Sequence, residues 1–372
     1  MFELLYRSKK SRARLGRITT PHGLIETPNF VAVGTNGTIK ALDSKMVESI
    51  GIQLLFCNTY HLLLQPGADL IEKSGGLHRF MGRSSPIITD SGGFQVFSLL
   101  YGSVTDEIKS KGKSLSKNLV LKIDEEGVQF RSYRDGKTIS LTPESSVAAQ
   151  KKLGADIIIP FDELPPYHTP LPKLTDSLER THRWEKRSLD YHKKDPRGQM
   201  MYGVIHGGVD PNLRKKSCDY LTQLPFDGFA IGGSFGRTKN EMHEMLSALM
   251  PRLPEDLPNH LLGIGDPPSI ARSIPLGIDT FDSSYPTKAA RHGLLFTQTG
   301  SCKIGNASCK HSLKPVDPEC SCYTCQHYSV SYLHHLFKAN ELTAYSLASI
   351  HNLHYMVRMM ERYRVMIEQD LI

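Results

Sequence analysis

The segment Pro86–Gly93, with the sequence PIITDSGG, has the pattern that decides the fold. A short apolar run ends in an aspartate and is followed at once by small residues and glycines, which predicts a buried strand that stops in a turn. The pattern recurs as IIIPFDE at 157–163, YGVIHGG at 202–208, GFAIGG at 228–233, LLGIG at 261–265 and IDTFD at 278–282. We therefore predict a series of buried strands between about residue 50 and residue 300.

Helix signals lie between these strands. Thr142-Pro143 and Asp210-Pro211 each combine an N-cap residue with proline at the first helical position. The apolar residues from Met242 to Leu249 recur at helical spacing and are interpreted as core. Alternating strands and helices imply a parallel sheet, and the number of units predicts an α/β fold of the (β/α)8 TIM-barrel type. A doubly wound open sheet is the alternative, less favoured because no glycine-rich dinucleotide or Walker-type loop follows a strand.

Polar residues and paired glycines fall at the carboxyl ends of the predicted strands. They are Asp90, Asp162, His206, Gly232, Gly233 and Asp282. Barrel enzymes build their active sites on this face. A single aspartate there could equally be a helix N-cap, but several on one face favour a functional site.

The composition is that of a globular protein. The 372 residues are 39% hydrophobic and 22% charged, a balance that allows a large core and does not indicate disorder. No apolar run approaches the roughly 20 residues needed to cross a bilayer, and no signal-peptide stretch is recognised. We therefore expect no membrane partner and a cytoplasmic location. The net charge of +7 permits, without requiring, a polyanionic partner.

Two regions depart from the alternation of strands and helices. Residues 103–142 read as a strand-hairpin insertion, and its early lysine-rich stretch is interpreted as a solvated loop (Lys109, Lys111, Lys113, Lys117). Residues 311–372 contain a cysteine cluster and then an apolar stripe on a helical tail. We predict a barrel domain with N-terminal strands over residues 1–310 and a zinc-binding helical subdomain over residues 311–372.

The cysteine cluster has the composition of a metal site. Cys320, Cys322 and Cys325 place three thiolates within six residues, and His351 lies on the following helix. Zn²⁺ prefers four such ligands in a tetrahedron, and a complete Cys₃His set leaves no open position for a substrate. We predict one structural zinc ion. His354 is the competing fourth ligand, and three reduced cysteines without a metal are the alternative.

Two aspartates far apart in the sequence are candidates for glycosidic chemistry. In such reactions one carboxylate attacks the anomeric carbon and another moves a proton, and Asp90 and Asp282 could share these tasks. Next to Asp90, backbone N–H groups and the ring of Phe94 could hold a planar base. Lys288 and Arg291 follow Asp282 in a turn and suit phosphates beside the reacting sugar.

The chain resembles the queuine/archaeosine tRNA-ribosyltransferase family across nearly its whole length. The motifs that carry the resemblance are, in order, NTYHL at 58–62, TDSGGFQ at 89–95, FDE at 161–163, Gly232-Gly233, Phe281-Asp282 with Pro286-Thr287, and the Cys-x-Cys-x-x-Cys…His set. A chance match to one motif is plausible, but a match to all of them in the family's order is not. The length is similar to that of bacterial-type tRNA-guanine transglycosylases.

The resemblance implies a (β/α)8 barrel with a zinc subdomain that exchanges guanine for a 7-deazaguanine base. The target is the first anticodon position of the tRNAs for aspartate, asparagine, histidine and tyrosine. It implies that Asp282 is the nucleophile of a covalent aspartyl-ribose intermediate and Asp90 the general acid/base. The remaining assignments are Ser91, Phe94, Asp162, His206, Gly232 and Gly233 to the base, and Lys288 and Arg291 to the tRNA anticodon stem-loop. Family members commonly act as homodimers.

The departures from the family pattern cluster around the base. His206 stands where a glutamine is usual, Leu164 replaces a cysteine, and Lys288 replaces an arginine. The segment after the paired glycines, Ser234–Arg237, is one residue shorter and lacks a matching glutamate. Gly236 and Phe94 match residues of queuine-using members, so we expect queuine as the incoming base, with preQ₁ as the alternative.

Two other functions are compatible with parts of the pattern. A non-catalytic zinc-containing tRNA-binding partner subunit is disfavoured because both Asp90 and Asp282 are present. A barrel hydrolase with a catalytic metal would need several histidines and carboxylates at strand ends, where His206 is nearly alone.

Overall fold

Eight parallel strands close into a barrel in the computed structural model, which describes residues 1–102, 106, 109 and 119–372. The barrel strands are β4 (Asn29–Val33), β5 (Leu55–Cys57), β6 (Ile87–Thr89), β10 (Ile157–Ile158), β11 (Met200–Ile205), β12 (Gly228–Ile231), β13 (Asn259–Leu261) and β14 (Thr280–Ser283). Each strand pairs with the next barrel strand along the chain, and β14 pairs with β4 to close the ring. The predicted (β/α)8 barrel is confirmed, and the open doubly wound sheet is excluded.

Three smaller sheets accompany the barrel within the described ranges. Their strands are β1 (Phe2–Arg7), β2 (Arg14–Thr20) and β3 (Gly23–Thr27) in the first, β7 (Val120–Ile123), β8 (Val128–Arg131) and β9 (Thr138–Leu141) in the second, and β15 (Leu294–Thr297) and β16 (Gly300–Lys303) in the third. The second sheet confirms the strand-hairpin insertion for the part of it that the structure describes. Of the predicted solvated loop, Lys111, Lys113 and Lys117 lie outside the described residues.

Helices surround the barrel and form the C-terminal tail. Within the described residues they are α1 (Ser44–Ser49), α2 (Thr59–Leu64), α3 (Ala68–Lys73), α4 (Gly76–Met81), α5 (Gly93–Tyr101), α6 (Pro143–Leu153), α7 (Leu171–Lys193), α8 (Pro211–Leu221), α9 (Lys239–Leu249), α10 (Pro267–Ser273), α11 (Tyr285–Arg291), α12 (Tyr323–His327), α13 (Val330–Ala339) and α14 (Leu342–Glu368). Short 3₁₀ turns follow at Met250–Arg252, Ile274–Leu276 and Ala307–Cys309. None of these helices combines the length and apolar character needed to span a membrane.

The predicted helix starts are confirmed. Thr142 caps α6 by accepting a hydrogen bond from the backbone N–H of Ser145, and Asp210 caps α8 by accepting from the N–H groups of Asn212 and Leu213. These caps satisfy N–H groups that have no partner within the helix. The apolar positions of α9 are buried, as the helical spacing predicted.

The barrel begins earlier in the chain than the sequence indicated. Its first two strands, β4 and β5, were not predicted, so the barrel starts at Asn29 and not near residue 50. The strand predicted at 261–265 lies instead at Asn259–Leu261. Asn259 holds this register because its side chain accepts from the N–H of Asp279 and donates to the carbonyl of Gly277.

Strand alternation separates the barrel interior from the helix layer. Side chains that point into the barrel form one apolar cluster, which includes Ile88, Val204 and Ala230, and the alternate side chains pack under the helices. Ile18 and Ile25 of the N-terminal sheet belong to the interior cluster and cover the end of the barrel where the strands begin. The carboxyl ends of the strands therefore form the open face.

The C-terminal tail packs on the barrel. Helix α14 contacts α11, β15 and β4, and its apolar positions Leu347, Ile350, Leu353 and Met360 are buried. The apolar stripe predicted for the tail is thus an interface with the barrel. The division into domains at residues 310 and 311 stays a prediction.

Candidate active site

The alternation of the strands brings the predicted site residues to one rim. Asp90, His206 and Gly232 each come two positions after a side chain of the barrel interior (Ile88, Val204 and Ala230, respectively). Asp282 continues the same inward-facing pattern on β14. Because all of these strands are parallel, their inward-facing ends meet at the carboxyl rim of the barrel.

Asp90 is buried and held by donors from the junction between β5 and α2. Its Oδ2 accepts from Asn58 Nδ2 at 2.7 Å, and its Oδ1 accepts from the N–H of Thr59 at 2.7 Å. Burial raises the pKa of Asp90 to about 6, although these hydrogen bonds oppose the rise. A carboxyl group in this range can both give and take a proton near neutral pH.

Asp282 has one bound oxygen and one free oxygen. Its Oδ1 accepts from the N–H of Gly263 at 2.8 Å and lies 3.0 Å from Nε2 of His260. Among the described residues, no donor contacts Oδ2. The side chain is 10% exposed, so a carboxylate oxygen is available to an electrophile that enters the rim.

Asp162 is positioned by two of the other predicted base-binding residues. Ser91 Oγ donates to Asp162 Oδ1 at 2.6 Å, and Nε2 of His206 lies 2.9 Å from Asp162 Oδ2. The N–H of Gly93 in turn donates to Ser91 Oγ. A side chain at Gly93 would lie 2.3 Å from the carbonyl oxygen of Asp162, so the glycine permits this close approach.

The surroundings of His206 select its tautomer. Nε2 faces the carboxylate of Asp162 and therefore carries the hydrogen, whereas Nδ1 is buried and has no hydrogen-bond partner in the part of the chain that the structure describes. Nδ1 lies against Gly233, where an added Cβ would be 3.0 Å away. His206 thus orients Asp162 by donating to it. The absence of a side chain at Gly233 leaves room for the imidazole ring of His206.

A buried arginine joins the loops after β11 and β12. Arg214 of α8 donates to the carbonyl oxygens of Ile205, Gly208 and Ser234, at 2.5, 2.7 and 3.1 Å. Burial lowers the pKa of this guanidinium to about 9. Because both loops border the rim, Arg214 fixes the relative position of His206 and the paired glycines.

The shortened loop after the paired glycines has its own glutamate. Glu241 accepts from the N–H groups of Arg237 and Thr238 and forms a capping box with Thr238 at the start of α9. Gly236 has a φ of +93°, and a Cβ there would lie 2.8 Å from the Glu241 side chain. Backbone conformation and packing alone therefore require glycine at this position.

Phe94 and the two predicted tRNA contacts lie at the edge of the rim. The Phe94 side chain is 45% exposed and stacks on Phe97. Lys288 is exposed on α11, directly after the strand that carries Asp282, and Arg291 is half-buried on the same helix. These positions are accessible to a large ligand that approaches the open face.

The four predicted metal ligands converge beneath α14. Nδ1 of His351 lies 3.2, 3.5 and 3.8 Å from the Sγ atoms of Cys325, Cys322 and Cys320, respectively. These separations match those between neighbouring ligands of a tetrahedral zinc ion with bonds of about 2.0–2.3 Å. Nε2 of His351 donates to the carbonyl oxygen of Phe296 at 2.6 Å, which leaves the Nδ1 lone pair for a metal. His354 instead contacts Ser321, so the cluster that could hold a metal ion contains His351.

Comparisons with known proteins agree with this geometry. The family model described as queuine tRNA-ribosyltransferase matches residues 9–372. The chain belongs to the queuine tRNA-ribosyltransferase family. Family membership thus extends over the barrel and the cysteine cluster together.

Several relatives that bear the name queuine tRNA-ribosyltransferase match over almost their full length. One from Protochlamydia amoebophila is 65% identical over 371 residues, which are 100% of this chain and 96% of the relative. One from Chlamydia abortus is 58% identical and one from Chlamydia trachomatis serovar D is 54% identical, each covering 100% of this chain and 99% of the relative. The resemblance identified from motifs is therefore confirmed.

Sequence reasoning missed several residues that shape the site. Asn58 and Thr59 hold Asp90, His260 and Gly263 hold Asp282, and Arg214 joins the loops. Asn58 and Thr59 open the motif at 58–62 that carries the family resemblance, and this motif was the available signal for them. His260 had no such signal because its strand was predicted two residues too late.

Proposed function

We propose that this family member is a tRNA-guanine transglycosylase that exchanges guanine for a 7-deazaguanine base through a covalent intermediate on Asp282. The target is guanine at the first anticodon position of the tRNAs for aspartate, asparagine, histidine and tyrosine. One observation supports this chemistry above the others. A carboxylate with a free oxygen and a carboxyl group with a pKa of about 6 lie at the same rim of the barrel.

In the first half-reaction, Asp282 Oδ2 donates an electron pair to C1′ of the target ribose. The C1′–N9 bond breaks as the C1′–Oδ2 bond forms, and the electron pair of the broken bond leaves with guanine. Protonated Asp90 supplies a proton to the departing base, which leaves as neutral guanine. Asp90 is thereby converted to the carboxylate that the second half-reaction requires.

In the second half-reaction, the incoming base loses its N9 proton to Asp90. The N9 electron pair then bonds to C1′, the C1′–Oδ2 bond breaks, and its electron pair returns to Asp282. Both aspartates regain their initial protonation states. The two steps are displacements at one carbon, so the enzyme needs no net oxidant or reductant.

Asp162 is proposed to bind the donor edge of the base. Its carboxylate can accept from the ring N–H and the exocyclic amino group that guanine and its 7-deaza analogues share. Ser91 and His206 hold it in place for this purpose. The backbone of Gly232 and Gly233 borders the same space, and Phe94 offers an exposed ring on which a base can stack.

Lys288 and Arg291 are proposed to contact phosphates of the anticodon stem-loop. Both lie on α11, which begins two residues after β14 and so stands beside Asp282. Phosphate contacts position a nucleic acid without reading its sequence. The net charge of +7 is consistent with such a partner.

A homodimer is proposed as the working assembly. Tyr323 and Tyr332 of the C-terminal tail are 52% and 42% exposed, and Tyr328 stacks on Tyr332. Exposed aromatic residues are enriched in protein interfaces. Because family members commonly act as homodimers, we propose that a second copy of the chain covers these tyrosines.

The Cys₃His cluster is proposed to hold one structural zinc ion. Zinc bound there would complete its four ligand positions with protein atoms, so it would supply stability and no substrate site. The groups that move electrons and protons in the proposed reaction all lie at the barrel rim.

We expect the kcat/KM for queuine to exceed that for preQ₁ by about tenfold. This factor is at the lower end of the discrimination that the shape of a pocket can provide. A cavity of about 310 Å³ lies against His206, Gly233 and Val209. It could receive the cyclopentenediol that queuine carries and preQ₁ lacks. The measurement is the displacement of labelled guanine from tRNA by each base.

Val209→Phe is the matched variant for this test. Val209 lines the cavity and has no assigned role in the reaction. The larger side chain should reduce turnover with queuine and leave guanine exchange at the wild-type rate. Turnover with preQ₁ and none with queuine would defeat the proposed base preference.

The two half-reactions should have opposite pH dependences, both centred near the Asp90 pKa of about 6. Guanine release requires protonated Asp90 and should slow as the pH rises above 6. Release of the adduct by an incoming base requires ionised Asp90 and should slow about tenfold per unit as the pH falls below 6. Single-turnover rates of adduct formation and adduct release measure the two separately. Parallel pH profiles, or flat ones between pH 5 and 8, would remove Asp90 from this role.

A further inference from the structure

His260 lies inside the barrel directly below Asp282. Its ring is 1% exposed, its Nε2 is 3.0 Å from Asp282 Oδ1, and its Nδ1 is 2.8 Å from Thr280 Oγ1. Residues 260, 280 and 282 all point inward, because β13 and β14 are adjacent and His260 pairs with Thr280. Burial of a polar ring costs free energy unless its nitrogens find hydrogen-bond partners, and both ring nitrogens of His260 lie within hydrogen-bond distance of one.

The contacts define a chain of hydrogen bonds that ends on the proposed nucleophile. The carboxylate of Asp282 can only accept, so Nε2 carries the hydrogen and donates to Oδ1. Nδ1 of the ring lies 2.8 Å from Oγ1 of Thr280, and the Thr280 hydroxyl donates to the carbonyl oxygen of Asn259 at 3.1 Å. Thr280 therefore fixes the ring orientation, and the ring fixes the carboxylate.

Both donors to Asp282 act on the same oxygen. The N–H of Gly263 donates to Oδ1 at 2.8 Å, on the same atom that His260 contacts. Oδ2 has no donor within the described part of the chain. The carboxylate is thus held in one orientation, with its two oxygens in different environments.

We propose that His260 is a positioning residue for the transglycosylase reaction, and that it also stabilises Asp282 when this carboxylate leaves the ribose. The proposal rests on the proposed function, because it assigns a role within the covalent mechanism. Fixing Oδ1 leaves Oδ2 as the oxygen that bonds to C1′. Holding the nucleophile in its reactive orientation lowers the entropy cost of attack.

The two half-reactions should depend on His260 to different degrees. During attack, a donor on Oδ1 withdraws electron density from the nucleophile, so its orienting effect is partly offset. During adduct release, the C1′–Oδ2 bond breaks and the electron pair returns to the carboxylate. A donor on Oδ1 then stabilises the developing charge, and it does so from a buried site that needs no reorganisation. Release should therefore lose more than attack when this donor is removed.

His260→Phe and His260→Gln form the test pair. Phenylalanine retains a planar ring and lacks the donor, whereas the glutamine amide can still donate to Oδ1. In His260→Phe, we expect release of the preformed adduct by a base to slow about tenfold to a hundredfold, the range for loss of a hydrogen bond to a charged group. Adduct formation should slow less, so the fraction of enzyme trapped as adduct during turnover should rise. The KM for the base should stay within about twofold of wild type, since Asp162 and His206 are unchanged.

Glutamine at position 260 should restore most of the release rate. Thr280→Val provides a second route, because it removes the hydroxyl that orients the ring and preserves the side-chain shape. It should slow release about threefold to tenfold, within the range for loss of one neutral hydrogen bond. Thermal unfolding of each variant identifies any loss of folding, and Thr280→Val carries the test if His260→Phe does not fold.

Four results would overturn the inference. Equal slowing of both half-reactions in His260→Phe would indicate a general structural role, and a His260→Gln enzyme as slow as His260→Phe would show that the donor is irrelevant. Absence of any adduct in the wild-type enzyme would overturn the proposed function itself, and this inference with it. A wild-type adduct whose release rate is unchanged in His260→Phe would overturn the role of His260 alone.

Discussion

Replacing Asp282 by alanine should abolish the covalent RNA adduct and reduce base exchange by about 10⁴-fold or more, the scale on which enzymes lose activity when a covalent nucleophile is removed. The reason is that Oδ2 of Asp282 is the atom proposed to bond to C1′, and alanine offers no replacement. The measurement is a denaturing gel of enzyme mixed with an anticodon stem-loop RNA. Wild-type enzyme should give a shifted band that survives denaturant, and the variant should give none.

Two further variants make this result interpretable. Asp190→Ala removes an exposed acid on α7 that is paired with Lys186, and it should retain the wild-type band. Asp90→Ala should be inactive in turnover while the RNA still binds. A band that persists in Asp282→Ala would mean that another residue is the nucleophile.

The geometry distinguishes the roles of the two acids more clearly than their sequence positions do. Both oxygens of Asp90 accept hydrogen bonds, from Asn58 and Thr59, so neither is free to form a covalent bond without losing a donor. Burial raises its pKa, which suits proton transfer. Asp282 has one oxygen to which none of the described residues donates. The proposed division of labour follows from this difference.

The barrel could be predicted because its strands repeat one local pattern. Each predicted strand is an apolar run that ends at an acid, a histidine or glycines, and this punctuation is visible without knowledge of any contact. Strands β4 and β5 do not end at an acid, a histidine or paired glycines. Asn29–Val33 is followed by a single glycine and Leu55–Cys57 has three residues, so neither could be distinguished from a short buried segment of another kind.

The site could be predicted at the level of strand ends, and not at the level of hydrogen bonds. Asp90, Asp162, His206 and Asp282 were identified because parallel strands bring their carboxyl ends to one rim. Their partners are set by which strands become neighbours when the barrel closes. His260 reaches Asp282 only because β13 pairs with β14, and no feature of the sequence near residue 260 reports that pairing.

The differences from the family pattern around the base show the same limit, because the contacts between separate elements could not be predicted from the sequence. The sequence predicted that no glutamate follows the paired glycines at the family's usual position, but it gave no account of what holds this loop in place. In the structure Glu241 caps the shortened loop, and Arg214 binds the carbonyl of Ser234. Side chains from α8 and α9 thus hold the loop at Ser234–Arg237, and the residues of the loop itself do not indicate these contacts.

Removal of the proposed zinc ion should be the most damaging change outside the barrel rim. Cys325→Ser, or treatment with a strong chelator, should lower the melting temperature sharply, because structural zinc sites bind with about 10–16 kcal/mol in peptides that fold around the ion. Cys302→Ser is the matched control, since this cysteine is half-buried and lies outside the ligand cluster. Metal content per chain and thermal unfolding measure the effect. A metal-free enzyme with an unchanged melting temperature would contradict the structural role.

Loss of the metal should also weaken RNA binding, because the cluster is connected to the proposed tRNA contacts. Next to His351, Asn352 donates to the carbonyl oxygens of Pro286 and Leu294 and accepts from the N–H of Phe296. Pro286 belongs to α11, the helix that carries Lys288 and Arg291. If the metal holds α14 in place, its removal should release α11 and reduce RNA affinity before the barrel unfolds. Metal-free enzyme that binds the stem-loop RNA as tightly as the native enzyme would show that α11 keeps its position without the tail.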